Sequence, residues 1–423
     1  MQPVRAFFVS ELESGATVFY NIYCRYTAAL RCFSGEKENC NNIYGGRKMS
    51  YFEEVKKNFE FGCMRLPMKD GEVDHEEFSR MVDYFIDAGF NYFDTAHGYL
   101  GGKSEKALRK CLVDRYPREK YILTDKLTAS FFKTEADVRP FFESQLEICG
   151  VDYFDFYLMH AQNHDNFVKF KECRAYEQAL EFKKEGKIHH FGISFHDTAD
   201  VLDTILTEYP QVEFVQIQLN YVDFDDSAVQ SRRCYEVCRK HGKPVIVMEP
   251  VKGGNLVKLP DEAKKILDDL HGGSPASYAI RFAAGFDGIF MVLSGMSNME
   301  QMTDNLSYMK DFKPLDAAER EAVEKVCGVF RSMHLIQCTA CRYCTDGCPK
   351  HISIPDLFSC LNAKNIYHDW NADFYYNSVY TVRNGKASDC IRCGKCEKVC
   401  PQHLPIRELL CDVAKEFEKN DRP

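Results

Sequence analysis

A surplus of positive charge is missing from this chain, and so is any apolar run of the roughly 18 residues that a membrane helix needs. Lys and Arg total 54 against 63 Asp and Glu, a net charge of -9, the wrong sign for a protein whose main partner is a phosphate backbone. Nucleic acid is therefore not an expected partner, no membrane span is expected, and the expected location is cytoplasmic. The GxGxxG turn that follows the first strand of a dinucleotide-binding open sheet is also missing. Tryptophan occurs once, at Trp370. Cysteine, by contrast, occurs 20 times in 423 residues. So long a chain needs no disulfide staples, and the crowding of cysteines into two late clusters points to metal in a reducing compartment. With 45% hydrophobic and 28% charged residues, an ordinary globular core is expected, divided among two or three domains.

Residues 1–48 carry Cys24, Cys32 and Cys40 without a sustained hydrophobic period and end in the loop-like NNIYGGRK. Arg5 and the short apolar stretch after it are cut off by Glu11 and Glu13, so a secretory signal lacks its apolar region. The segment reads as a variable extension ahead of Met49. From about residue 57 to about 312, β-rich runs alternate with amphipathic helical stretches, the pattern of repeated βα units. The strand runs are FEFGCM, NYFDTA, YILTDKL, DFYLMH, HHFGISF, FVQIQLN, PVIVMEP and GIFMVLSG. Eight such units over roughly 250 residues predict an α/β fold, a (β/α)8 TIM barrel, over a doubly wound open sheet. The barrel is expected over 49–333, followed by a small, mostly α-helical iron-sulfur domain over 334–423.

That second domain rests on two motifs, CTACRYCTDGCP from Cys338 and CIRCGKCEKVCP from Cys390. Each is CxxCxxCxxxCP, the bacterial iron-sulfur run, whose fourth cysteine ligates the other cluster. The repeat continues past the cysteines, CPKHISIPDLF matching CPQHLPIRELL, as an internal duplication does. One [4Fe-4S] cluster is assigned to Cys338, Cys341, Cys344 and Cys400, the other to Cys390, Cys393, Cys396 and Cys348. The competing reading is a pair of structural zinc sites, for which a third cysteine at the same short step is surplus. The remaining twelve cysteines lack ligand spacing and are expected to be small buried hydrophobes. The domain resembles dicluster ferredoxins of the α-helical kind, in which a helix follows each CP. Its departure is the aromatic stretch YHDWNADFYYNSVY between the motifs, expected to cover the clusters, to dock them on the barrel, or to form local core.

In the barrel, Asp94 ends the second strand, Tyr99 lies in the loop after it, Lys126 is near the end of the third and His160 ends the fourth, where barrel chemistry is placed. Here the sequence resembles the aldo/keto reductases, whose catalytic tetrad is Asp, Tyr, Lys and His in this order. The similarity continues through GGKSEKALRK, GIS, QIQLN and SGMSNMEQMTDN. It implies an oxidoreductase reducing a carbonyl or related small substrate with NAD(P)H. Tyr99 would donate the proton, Lys126 would lower the phenol's pKa from its free value near 10, Asp94 would hold Lys126, and His160 would orient the substrate oxygen. It also implies that Ser194, Gln216 and Asn220 orient the nicotinamide, while Ser294, Gly295, Ser297, Gln301 and Asn305 hold the adenosine end. Phe195, Met248, Gly295 and Gln301 depart from the family pattern. The last two stand where Lys and Arg commonly bind a 2′-phosphate, which favours NADH over NADPH. Lys252 and Arg281 are the alternative phosphate cations.

A hydride carries two electrons and an iron-sulfur cluster passes one, so exchange between the domains needs a converter such as flavin, for which no motif is evident. The expected partners are a small carbonyl-type substrate and, where the clusters link to a redox chain rather than brace the barrel, a redox partner protein. The alternative is an electron-transfer iron-sulfur protein whose barrel is a non-catalytic or flavin-dependent scaffold.

Overall fold

The computed structural model describes residues 51–419 apart from 271, 339, 346 and 369; the expected extension 1–48, with Cys24, Cys32 and Cys40, lies outside the described residues. The described residues form one compact unit. Eight parallel strands close a barrel: β1 (Phe59–Gly62), β2 (Tyr92–Asp94), β3 (Ile122–Leu127), β4 (Phe154–Gln162), β5 (Ile188–Phe195), β6 (Phe214–Gln218), β7 (Val245–Met248) and β8 (Ile289–Gly295). Closure is through β1 and β8, where Phe59 faces Val292 and Gly62 faces Gly295.

Strands buried on both faces read as apolar runs, and these do. Their inward residues near the N-terminal ends, Tyr92, Phe156, Phe214 and Phe290, form an aromatic plug with Phe52, whose ring meets that of Phe156 at 5.0 Å and 82°. Gly192 makes the plug possible, because a Cβ there would stand 2.4 Å from the Phe214 ring. Outward residues pack against the helices, which start on caps written in the sequence. Asp74 accepts from the Glu77 amide to open His75–Asp87, and Asp316 with Glu319 forms a capping box for Ala317–Ser332.

Two local features interrupt this regular pattern. The run SEKALRKCLVDR is α-helical only to Leu108 and widens into a π-helix over Arg109–Val113. A small hairpin, Met68–Lys69 with Glu72–Val73, turns through Asp70 and Gly71, both at positive φ.

Beyond the last barrel helix, Ile354–Tyr367, Trp370–Phe374 and Ile406–Phe417 enclose a second core around Phe358, Leu361, Tyr375, Tyr376 and Leu410. No helix among the described residues is long and apolar enough to cross a membrane.

This second body docks on loops at the C-terminal ends of the strands. Arg383 reaches both oxygens of buried Asp197 after β5, at 2.9 and 3.2 Å. Asn371 donates to Glu249 after β7 at 2.9 Å, Ser359 donates to Asp226 at 2.6 Å, and Tyr380 donates to the Ala228 carbonyl. The aromatic stretch therefore both docks and packs: Tyr375, Tyr376 and Tyr380 are core, while Phe374 meets His196 of the barrel at 5.6 Å.

Candidate active site and cysteine cavities

The ends of β2, β3 and β4 bring Asp94, Lys126 and His160 to one mouth, and the loop after β2 adds Tyr99. Asp94 and Lys126 are each 1% exposed, and the ammonium donates to the carboxylate at 2.6 Å and to the Thr95 carbonyl at 2.7 Å. The same nitrogen lies 4.9 Å from the Tyr99 ring centroid. The Tyr99 and His160 rings meet edge-on at 5.9 Å. His160 Nδ1 is 2.7 Å from the Thr128 hydroxyl, a partner that sequence reasoning passes over although it stands two residues after Lys126.

Burial, with Lys126 and His196 adding to it, holds the His160 pKa well below its ordinary value; the imidazole is neutral. Burial also pulls Lys126 downward, but Asp94 and Tyr99 outweigh it and the ammonium is held above its usual range. Burial raises the Tyr99 pKa; Lys126 lowers it as expected but by less, so the net displacement is upward.

Below the tetrad, Glu60 interrupts the apolar run of β1. It is fully buried and neither carboxyl oxygen has a partner. Burial first, then the Asp94 charge, raises its pKa well above the ordinary carboxylate range. Glu60 therefore folds with its proton, which the unfolded chain releases above about pH 4.3. Folding then takes up a proton, and this contribution to stability is lost as pH rises from that point through the raised pKa. The Glu60→Gln variant, which carries no such proton, should gain in melting temperature over the natural protein as pH increases from about 5 to about 8; a constant difference would show that Glu60 is ionised when folded.

The other expected residues fall into two groups. Ser194 and Gln216 are neighbours across β5 and β6, with Ser194 Oγ accepting from the Ala161 amide at 2.8 Å. Asn220 donates to Asp223 at 2.7 Å and accepts from its amide at 2.9 Å. At the end of β8, Ser294 accepts from Asn305 at 2.9 Å, and past Gly295 the Ser297 amide donates to Gln301 at 2.8 Å. The alternative cations are committed elsewhere. Lys252 donates to both oxygens of Asp223 at 2.7 and 2.9 Å, and Arg281 grips Glu319 with two contacts of 2.7 Å. Sequence reasoning also passes over Arg65, an exposed residue whose Cδ lies 3.8 Å from where a Gly295 Cβ would stand.

The cysteine motifs fold as a pair. One cavity is walled by Cys390, Cys393 and Cys396 with Cys348, and another by Cys338, Cys341 and Cys344 with Cys400. The duplication extends to the backbone. Ala340 and Arg392, Arg342 and Gly394, and His351 and His403 occupy corresponding places, all at positive φ between 51 and 73°. Donor spacing tests which metal group the cavities fit. Four thiolates at about 2.3 Å from one zinc would lie about 3.8 Å apart. Among the described residues, the group of three or more His, Cys, Asp or Glu donors lying within 4.8 Å of one another is Glu105, Asp125 and Cys149, between β3 and its helices, with no cysteine from either motif. The quartets are too open to share one zinc and suit a larger group. Of the other described cysteines, Cys63, Cys111, Cys149, Cys173, Cys234, Cys238, Cys327 and Cys360 are buried. Cys411 is exposed and corrects the expectation for its position.

Among known families, the aldo/keto reductase family model matches residues 59–327 and a 4Fe-4S dicluster domain model matches residues 337–405. An aldo-keto reductase of Mycobacterium avium is 26% identical over 273 residues, 62% of this chain and 86% of its own length. The NADH-specific methylglyoxal reductase of Escherichia coli is 26% identical over 211 residues, 45% of this chain and 61% of its own. The solved aldo-keto reductase of Klebsiella pneumoniae in complex with NADPH aligns with a TM-score of 0.53 at 18% identity, covering 64% of this chain and 95% of its own. That of Bacillus halodurans in its holo form aligns with 0.53 at 24%, covering 64% and 92%.

Proposed function

The chain belongs to the aldo/keto reductase family and carries a 4Fe-4S dicluster domain behind its oxidoreductase barrel, and from that premise we propose that it reduces a small carbonyl compound with a nicotinamide cofactor, Tyr99 giving the proton. The observation that carries this reading is the buried 2.6 Å Asp94–Lys126 pair set beside the Tyr99 and His160 rings. The cofactor, when bound, supplies the hydride. Asp94 fixes Lys126, and Lys126 holds its charge beside the phenol. With the Thr128 hydroxyl donating to His160 Nδ1, Nε2–H is left to donate to the substrate oxygen and set its angle. Ser194, Gln216 and Asn220 present hydrogen-bonding groups for the nicotinamide end. The two cysteine quartets would hold [4Fe-4S] clusters, which exchange single electrons with a redox partner protein.

Cofactor choice follows from the β8 loop. Gln301 is engaged by the Ser297 amide, and Lys252 and Arg281 are held by carboxylates. A 2′-phosphate would therefore lose charge-assisted contacts worth about 1.5–3 kcal/mol each. NADH should bind about tenfold more tightly than NADPH in fluorescence titration, one such contact's worth, and Gln301→Arg should narrow the gap. An NADPH preference abolished by Arg65→Leu would instead assign the phosphate to Arg65.

A further inference from the structure

Each cysteine quartet has one exposed member, Cys341 in one and Cys393 in the other, but the two cavities face different surroundings. Cys338 also walls a cavity at the seam, together with Asp223, Asp225 and Asp226 from the barrel loops. Among the described residues, no cysteine of the Cys390 quartet lines that seam. The Cys338 quartet thus borders acidic loops of the barrel and the Cys390 quartet does not. Ile354 borders both cysteine cavities, which makes the two sites neighbours.

The charge around them differs as well. The wall of the Cys390 cavity carries Lys350, Lys395 and Arg407 and, among the described residues, no Asp or Glu. Lys350, Arg392, Lys395 and Lys398 are all exposed, and Lys395 and Lys398 stand three residues apart on one face of the short helix Lys395–Lys398. The acid between them, Glu397, is taken by Arg407 through its amide and its guanidinium, each at 2.9 Å. The exposed Asp389, just ahead of the motif, accepts from the Lys386 amide at 2.8 Å. Amid these cations Ile391 is 57% exposed, on the same wall as Pro349. At the Cys338 cavity the wall cation is Arg342, which Asp356 holds with contacts of 2.9 and 2.7 Å. Cations that serve a cluster's own charge belong on its wall, as Lys350 and Lys395 do. Arg392 and Lys398 stand outside it in solvent, where a charge acts on what approaches. On a chain of net charge -9, this face reverses the sign.

We propose that this face is the docking site for an acidic one-electron carrier protein, which exchanges electrons with the cluster of Cys348, Cys390, Cys393 and Cys396. Complementary charge steers the encounter and fixes its orientation, while the small apolar centre at Ile391 supplies contact. One electron leaves the reduced cluster and enters the oxidised carrier, or the reverse; no bond breaks and no proton moves.

The inference rests on the reading that the quartets hold clusters. It is tested by calorimetric titration of the anaerobically purified full chain with an acidic plant-type [2Fe–2S] ferredoxin, iron content being recorded for every sample. With both proteins oxidised, binding is read without electron transfer, so a failure of docking and a loss of clusters are seen separately. Affinity should fall at least about tenfold between about 50 and about 300 mM salt. It should fall by at least about tenfold again in Lys395→Glu/Lys398→Glu, with iron content unchanged. Lys120→Glu/Lys310→Glu makes the same change in net charge at two exposed positions on the N-terminal end of the barrel, and should bind as the natural protein does. Ferricyanide, a small anion of high potential, should oxidise the dithionite-reduced Cys400→Ser chain, which keeps the Cys390 cluster, at least about tenfold faster than the Cys348→Ser chain. Absence of binding, binding indifferent to salt or to Lys395→Glu/Lys398→Glu, equal weakening by the barrel variant, tight binding of the basic carrier cytochrome c in place of the ferredoxin, or oxidation of the Cys348→Ser chain as fast as that of Cys400→Ser would overturn the proposal.

Discussion

Tyr99→Phe is expected to lower carbonyl reduction by about 100- to 10,000-fold, the span that general acid catalysis contributes, while NADH affinity stays within about twofold of the natural protein. The hydroxyl is the only group removed, and the ring keeps its edge contact with His160. The raised Tyr99 pKa sharpens the expectation. A proton donor must hold its proton at the working pH, and a phenol displaced upward does so throughout the neutral range. The rate should thus be insensitive to Tyr99 ionisation near neutrality and fall only at strongly alkaline pH. A rate limb near neutrality that disappears in Tyr99→Phe would contradict the burial-dominated reading.

Lys126→Met is a less selective probe. It removes the charge that opposes the rise of the Tyr99 pKa, making the phenol a weaker acid. It also strands Asp94, whose second oxygen already lacks a partner, and breaking a buried pair costs about 3–5 kcal/mol. Loss of activity there combines chemistry with folding. Unchanged turnover in Tyr99→Phe would show that the tetrad geometry serves no carbonyl reduction and would leave the electron-transfer reading standing.

The barrel was legible because its strands are buried on both faces, so each appears as a compact apolar run between helical periods. The ends of β2, β3 and β4 then brought Asp94, Lys126 and His160 together as chain order suggests. Four things were harder to read. The hairpin at Asp70–Gly71 had a signal, the Asp-Gly pair that favours positive φ at both central turn residues, but its strands are two residues each and leave no period. Glu60 had one too, a charge inside an apolar strand. The seam had none: Asp197 meets Arg383 across 186 residues of chain, and no local pattern encodes which surface loop a distant guanidinium will reach. The same limit hid the balance at Tyr99. The sequence supplies the nearby ammonium, but how far burial outweighs it depends on surroundings assembled from several strands.

Cys348→Ser should remove the cluster built on Cys390, Cys393 and Cys396 and spare the one built on Cys348's own neighbours, halving an iron content of about eight per chain. Each CxxCxxC segment wraps one face of its cavity, and the fourth cysteine is carried past it before the chain turns through the left-handed His351 or His403. Cys348 consequently stands on the wall of the Cys390 cavity, and Cys400 on that of the Cys338 cavity. Serine is nearly isosteric and keeps the backbone route, including the turn after Pro349, so its effect reports the lost thiolate. The reciprocal Cys400→Ser should spare the Cys390 cluster, and electron paramagnetic resonance of the reduced full chain should resolve a different surviving signal in each variant. If Cys348→Ser instead eliminates the cluster built on Cys338, Cys341 and Cys344 and spares the one built on Cys390, Cys393 and Cys396, or both variants lose the same cluster, the crossed arrangement fails. Two zinc ions per chain with no iron would remove the clusters from the account altogether.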